Sequence, residues 1–201
     1  MTEYNPEGNF YDKYNSKNII EKTIMKNFFN NIHNAIDSLE FSSLLDVGCG
    51  EGYVTEFIFQ IKQCRGIEGI DISPRVIEEA ALRIPAVKFS VGSALSIDRP
   101  DGSYEIVVAS EVLEHLPEPE KALKEIFRVT SKYALISVPN EPIWRICNMA
   151  RGKYIGDFGN TPGHIQHWSR SQFIKLLSQY GLIEKVLSPF PWSMLLCRKF
   201  V

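Results

Sequence analysis

Leu44 to Ile58, LLDVGCGEGYVTEFI, is the stretch whose reading decides the fold. A short apolar run carrying Asp46 breaks into Gly48, Gly50 and Gly52, and the apolar positions Val54, Phe57, Ile58 and Ile61 then recur at helical spacing. The segment reads strand, glycine turn, helix. A tight turn draws on positive φ, and a missing side chain lets a ligand lie against the backbone at a helix N-terminus.

Charge and spacing narrow the ligand. A dinucleotide fingerprint spaces its glycines G-x-G-x-x-G, whereas here the third comes one residue early, at Gly52, and Tyr53 stands where that pattern needs glycine. Asp46 and Glu51 bracket the turn. Carboxylates there repel a pyrophosphate and attract a ligand with an α-amino group and a cationic sulfonium, the charge pattern of S-adenosylmethionine. Further along, GIDIS places Asp71 at the end of a second apolar run, where an acidic side chain can accept two hydrogen bonds from a ribose diol.

LLDVGCGEGYV, GIDIS and YEIVVASEVLEHL, in this order and spacing, resemble the class I S-adenosylmethionine-dependent methyltransferases of the type 11/23 group, which includes the ubiquinone-biosynthesis O-methyltransferases. The resemblance runs from about Tyr11 to the C-terminus and is specific for the cofactor more than for the acceptor. It implies a Rossmann-like α/β fold: a doubly wound sheet of seven strands, mostly parallel with an antiparallel last strand, and helices on both faces. It also implies that Gly48, Gly50, Gly52 and Tyr53 shape the cofactor turn, with Asp46 at the methionine end and Asp71 on the ribose. Ile72, Ser93 and Ala94 would surround the adenine, and Ser110 with Glu111 would line the reacting end. The family usually has an acidic residue reading the adenine amino group where this chain has Ser93. A hydroxyl still accepts that hydrogen bond, more weakly than a carboxylate.

The chain has 201 residues, 44% hydrophobic and 23% charged, which suits one globular domain over 1–201 with a sizeable core. A net charge of -2 gives no general field for nucleic acid. Cys49, Cys64, Cys147 and Cys197 form no C-x-x-C pair and no metal-finger spacing, the usage of reduced thiols in a cytoplasmic protein. The N-terminus, MTEYNPEGNF, lacks a targeting composition, and no apolar run reaches the length of a membrane span, so a soluble, cytoplasmic monomer or homodimer is expected.

Residues 1–18 are polar with interspersed tyrosines, either a loose tail or a lid that orders over the cofactor. Ile20, Ile24, Phe28, Ile32, Ile36 and Leu39 trace one face of a covering helix from Ile19 to Leu39. Strands are expected at Arg65–Ile72, Ala86–Val91, Tyr104–Ser110 and Tyr133–Val138, then a closing pair at Leu182–Leu187 and Met194–Phe200. Ser73-Pro74 and Pro119 read as helix starts, and Ser169 with Gln172 as a capping box. Strands alternating with helices argue for a parallel sheet whose ligands bind past the C-terminal strand ends, where Asp46, Asp71, Ser93, Ser110, Glu111 and Pro139 all fall.

Between 139 and 168 the alternation stops, and this insertion is assigned to a small-molecule acceptor. Trp144, Tyr154, Phe158 and Trp168 suit a flat or apolar acceptor, with Arg145, Arg151 and Lys153 near enough for a carboxylate or phosphate. The apolar helix in 142–153 could instead rest on a membrane surface. Methyl transfer from a sulfonium mainly requires alignment and, for a hydroxyl acceptor, removal of a proton, for which histidine suits neutral pH. His115 and His167 are the catalytic candidates, and His164 is placed with the acceptor. His164 and His167 could share a cation with Glu114 or His115, but local spacing fixes no third ligand, and no metal is assigned. Base-amine methyltransferases tend to place an Asn/Asp-Pro-Pro-aromatic turn after the fourth strand. This chain has ASEVLEHL there, so amino methylation of nucleic acid is disfavoured, no nucleic-acid partner is expected, and an oxygen acceptor on a small molecule is favoured.

Overall fold

The structure is a computed structural model that describes residues 18–62, 64 and 66–200. The lid or tail expected over 1–18 lies outside the described residues except for Asn18, whose Oδ1 accepts from the Ile20 amide at 2.9 Å and caps α1 (Ile19–Ile36). There follow β1 (Ser43–Val47), α2 (Tyr53–Lys62), β2 (Gly66–Asp71), α3 (Pro74–Arg83), β3 (Lys88–Val91) and β4 (Tyr104–Ser110). A short 3-10 turn at Leu113–His115 leads to α4 (Pro119–Val129), β5 (Thr130–Pro139), α5 (Ile143–Ala150), α6 (Arg170–Leu177), β6 (Gly181–Leu187) and β7 (Trp192–Lys199).

The seven strands form one sheet in the order β3-β2-β1-β4-β5-β7-β6. The first five strands are parallel, and β7 runs antiparallel to both β5 and β6. β1 sits between β2 and β4, so the chain order reverses beside it, and the crevice opens past its C-terminal end. Strand alternation divides the core. Leu45, Val47, Val107 and Ala109 face α4 and α6 through Leu123, Ile126 and Phe173. Leu44, Ile106, Val108 and Leu135 face α1 and α2 through Phe28, Ile32, Ile36 and Ile58. Cover on both faces is why β1 and β4 read as near-continuous apolar runs, without the strict alternation of a strand open to water on one face.

Some boundaries moved for local reasons. The helix expected to reach Leu39 stops at Ile36. β5 begins three residues before the expected Tyr133, because Ser131 and Lys132 are exposed and give no apolar signal, while Thr130 pairs with Tyr104. Ser73 flanks α3 but makes no side-chain cap; its amide donates to Asp71 Oδ1 instead, at 2.9 Å. The capping box at Ser169 and Gln172 is present.

Candidate active site

A cavity of about 730 Å³ opens past the C-terminal ends of β1, β2 and β4, covered by the first half of α1 and by α5. Its floor is the glycine turn. The Gly48 and Cys49 amides donate to the Ile70 carbonyl at 2.8 and 3.0 Å, which docks the turn on the end of β2. Gly48 has φ +70, and a Cβ there would stand 2.4 Å from Val112 Cγ2. The Gly50 amide donates to Asp71 Oδ2 at 3.0 Å, so one carboxylate ties the turn to the start of α3. Each Asp71 oxygen keeps further acceptor capacity toward the cavity it lines. Burial raises the Asp71 pKa, against the lowering effect of the Ser73 and Gly50 amides.

Asp46 also lines the cavity and is 1% exposed. Burial pushes its carboxyl up to about 7, against a 2.6 Å hydrogen bond donated by the Thr55 hydroxyl, with the charge of Asp71 adding to the rise. Tyr53, Ile72, Ser93, Ala94, Ser110 and Glu111 also line the cavity. Ile72 is 52% exposed, an apolar surface presented to the cavity. The Ser93 hydroxyl already accepts from the Leu95 amide at 3.2 Å, so it has one acceptor position fewer for a ligand than the sequence suggested. Glu111 adopts φ +60 as the chain leaves β4.

Gly52 stands apart from this group. Its φ is +83 and a Cβ there would meet Ala80 Cβ at 3.2 Å, so it packs the turn against α3 and does not line the cavity.

On the acceptor side, Trp144, Tyr154, His115 and His164 line the cavity together with Arg151 and Lys153. Trp144 stacks on His164 at 5.9 Å between centroids and donates Nε1–H to Thr161 at 2.8 Å. Arg145, His167 and Trp168 are not among the lining residues. Arg145 turns outward to hold the loop after α5, donating to the Phe158 and Asp157 carbonyls. His167 pairs with Asn160 Oδ1 at 2.8 Å, its pKa lowered by burial and by the charge of Arg145. Residues 164–167 follow no regular structure, so the helical reading of a three-residue spacing does not apply there. Trp168 packs on Phe173. The grouping the structure does make is Glu114, His115 and His164, whose ligand atoms lie within 4.8 Å of one another.

Sequence reasoning missed Ile20, Ile24 and Met25 of α1, Phe190 and Pro191 before β7 and Trp192 at its start, all of which line the cavity. Ile20 sits near the start of a helix that buries Met25, Phe28 and Ile32 further along, and is itself 69% exposed, an apolar side chain turned to the cavity that its helical spacing alone does not reveal.

A seven-stranded sheet with an antiparallel last strand, opening at an acidic glycine turn, defines the class as that of the S-adenosylmethionine-dependent methyltransferases. Residues 16–183 match the family model described as a methyltransferase domain, and the chain belongs to that family. It is similar to a probable S-adenosylmethionine-dependent methyltransferase of Mycolicibacterium smegmatis, 28% identical over 150 residues that cover 73% of this chain and 54% of that one. It is also similar to ajmaline N-methyltransferase of Rauvolfia serpentina, 35% identical over 48% of this chain and 35% of that one. A ubiquinone biosynthesis O-methyltransferase of Saccharomyces cerevisiae is a further relative, so both acceptor elements occur among them. The chain spans between about a third and a half of the length of these relatives. The PH0226 protein of Pyrococcus horikoshii shares the fold, with a TM-score of 0.73 at 14% identity over 95% of this chain and 97% of that one.

The residues present fit the cofactor of this class. The cavity combines bare backbone at Gly48 and Gly50 with the buried Asp46 and half-buried Asp71 carboxylates and an apolar side chain at Ile72.

Proposed function

We propose that this chain methylates an oxygen of a small molecule held between α5 and the C-terminal ends of β4 and β5. The observation that carries this reading is one continuous cavity, with the acidic glycine turn at one end and His115, Trp144 and Arg151 at the other. S-adenosylmethionine supplies a methyl group already attached to a good leaving group. Asp71 is placed to hold the ribose and Asp46 the amino end, while Ile72, Ser93 and Ala94 surround the base and Ser110 with Glu111 flanks the reacting end. Trp144 and Tyr154 offer flat faces to the acceptor, and Arg151 and Lys153 offer charge to an acid group on it. His115 stands where the acceptor hydroxyl must lie. The decisive experiment screens metabolite pools for a gain of one methyl mass that requires both the protein and S-adenosylmethionine. Calorimetry showing binding of a nicotinamide dinucleotide and none of S-adenosylhomocysteine would overturn the reading.

The environment of Asp46 gives a pH dependence. A ligand ammonium favours the ionised carboxylate, and burial holds the free protein's carboxyl near 7. Affinity for S-adenosylhomocysteine is therefore expected to rise about tenfold between pH 6 and 8. Asp46→Asn should flatten the profile in the same titration. The sign for the unliganded fold is opposite: the stability from this group is complete below its ordinary value of 3.8 and is lost as the pH rises through about 7.

The acceptor's route has its own observation. Ile146, Met149, Ile155 and Phe158 are exposed on and just beyond α5, next to Arg145 and Lys153, a combination suited to peripheral contact with an anionic membrane. Among the described residues no helix is long and apolar enough to cross one. Flotation with anionic vesicles should carry the protein upward and Phe158→Ser should reduce it severalfold; a protein that stays at the bottom excludes the contact.

A further inference from the structure

We infer that Thr161 and Arg151, bridged by the buried side chain of Asn148, bind an oxyanion of the methyl acceptor, a carboxylate or a phosphate. The inference deepens the proposed methyl transfer and rests on it.

Asn148 lies on α5 and is 1% exposed. Its Nδ2 donates to the Gly159 carbonyl at 2.9 Å and to Thr161 Oγ1 at 3.1 Å, and its Oδ1 accepts from Arg151 Nη2 at 2.6 Å. The orientation of the amide is fixed from both ends, because a guanidinium can only donate and a carbonyl can only accept. Reversing it would set donor against donor at Arg151 and acceptor against acceptor at Gly159. The loop after α5 is thereby tied back to the helix, and the Thr161 hydroxyl and the Arg151 head are held by one planar group.

The Thr161 hydroxyl is left with a single role. Its oxygen accepts from Asn148 Nδ2 and, at 2.8 Å, from Trp144 Nε1, and an indole N–H can only donate. Both lone pairs are used, so the hydroxyl acts as a donor. Thr161 lines the cavity, and no protein oxygen among the described residues receives that proton.

Arg151 is also only partly engaged. Nη2 serves Asn148, and the Glu21 carboxylate stands 3.6 Å from Nη1, close enough to balance charge but beyond a good hydrogen bond. The Arg151 side chain is 43% exposed and lines the cavity, which leaves guanidinium N–H groups for a ligand.

Two donors, one of them cationic, select a group that accepts hydrogen bonds and carries negative charge. A neutral carbonyl in that place gains hydrogen bonds without charge assistance, and an ammonium is repelled. Trp144, anchored through the same hydroxyl, also lines the cavity, so the acid group is placed beside the ring proposed to carry the body of the acceptor.

The test titrates the full chain, with and without S-adenosylhomocysteine, with benzoate and phenyl phosphate and with benzamide and benzyl alcohol as uncharged counterparts, each followed by ligand-observed NMR. At least one acid is expected to bind about tenfold more tightly than both uncharged compounds, and the tighter acid identifies the group. Thr161→Val keeps the shape and loses the hydroxyl; it should weaken that acid about fivefold, with Thr161→Ser restoring it, and Arg151→Gln should erase the preference for acid over amide. All three variants should bind S-adenosylhomocysteine within about threefold of the parent, which also reports that they are folded. The site is overturned if neither acid binds, if acids and uncharged compounds bind alike, or if the valine and glutamine variants bind the acid as the parent does. A parent that binds an acid but no S-adenosylhomocysteine instead overturns the methyl-transfer reading and leaves the oxyanion site standing.

Discussion

Replacing Asp71 by alanine is expected to lower affinity for S-adenosylhomocysteine at least 100-fold, about 2.7 kcal/mol. The carboxylate carries three duties at once. Oδ2 holds the Gly50 amide, Oδ1 holds the Ser73 amide, and the capacity left over is what a ribose diol would use. Alanine removes all three, so the turn loses its latch to α3 at the moment the ligand loses its acceptor. Stability should fall by much less, roughly 1 kcal/mol, because two lost backbone bonds are offset by removing a carboxylate that burial disfavours. Asp71→Asn keeps one acceptor oxygen and should land between parent and alanine. Calorimetric titration at fixed pH checks the series; an alanine variant that binds as the parent does would detach Asp71 from the cofactor.

The second large effect is on the fold. Phe28 is fully buried in α1, with its ring 4.9 Å from that of Trp192 and 6.0 Å from that of Phe29. Phe28→Ala leaves a void between a helix and the last strand that neighbouring side chains can only partly fill, at a cost of about 3–5 kcal/mol. Denaturant unfolding measures this directly. Met25 and Trp192 also line the cavity, so cofactor affinity should fall in the same variant. A loss under about 1 kcal/mol would show that α1 is not integral to the core.

What the sequence revealed follows physical range. The glycine turn, Asp71 and the apolar β4 were legible because backbone torsion, a strand-end carboxylate and two-sided burial each leave a local mark. The capping box at Ser169 was legible for the same reason, being complete within four residues. Contacts made across the fold left no such mark. Glu114 and His164 meet only because the loop after α5 folds back to bond the Glu114 carbonyl; the sequence could offer Glu114 or His115 beside the His164 and His167 pair but could not show which of these groups come together. Arg145 reads as an acceptor-binding cation until the Phe158 and Asp157 carbonyls are seen to occupy it. Trp168 is similarly spent on Phe173. Ile20 and Ile24 looked like ordinary helix positions because the sequence does not say which turn of α1 overhangs the crevice.

The crowding at Gly48 has a consequence for how such a chain can drift. Two separate vetoes guard the position: its φ of +70 penalises any side chain, and Val112 occupies the space where one would begin. Trimming Val112 lifts only the second, so no single compensating change elsewhere reopens the site to substitution. Gly52 has looser surroundings and rests mainly on its torsion. Among diverging copies of this chain, the earlier glycine should outlast the later one.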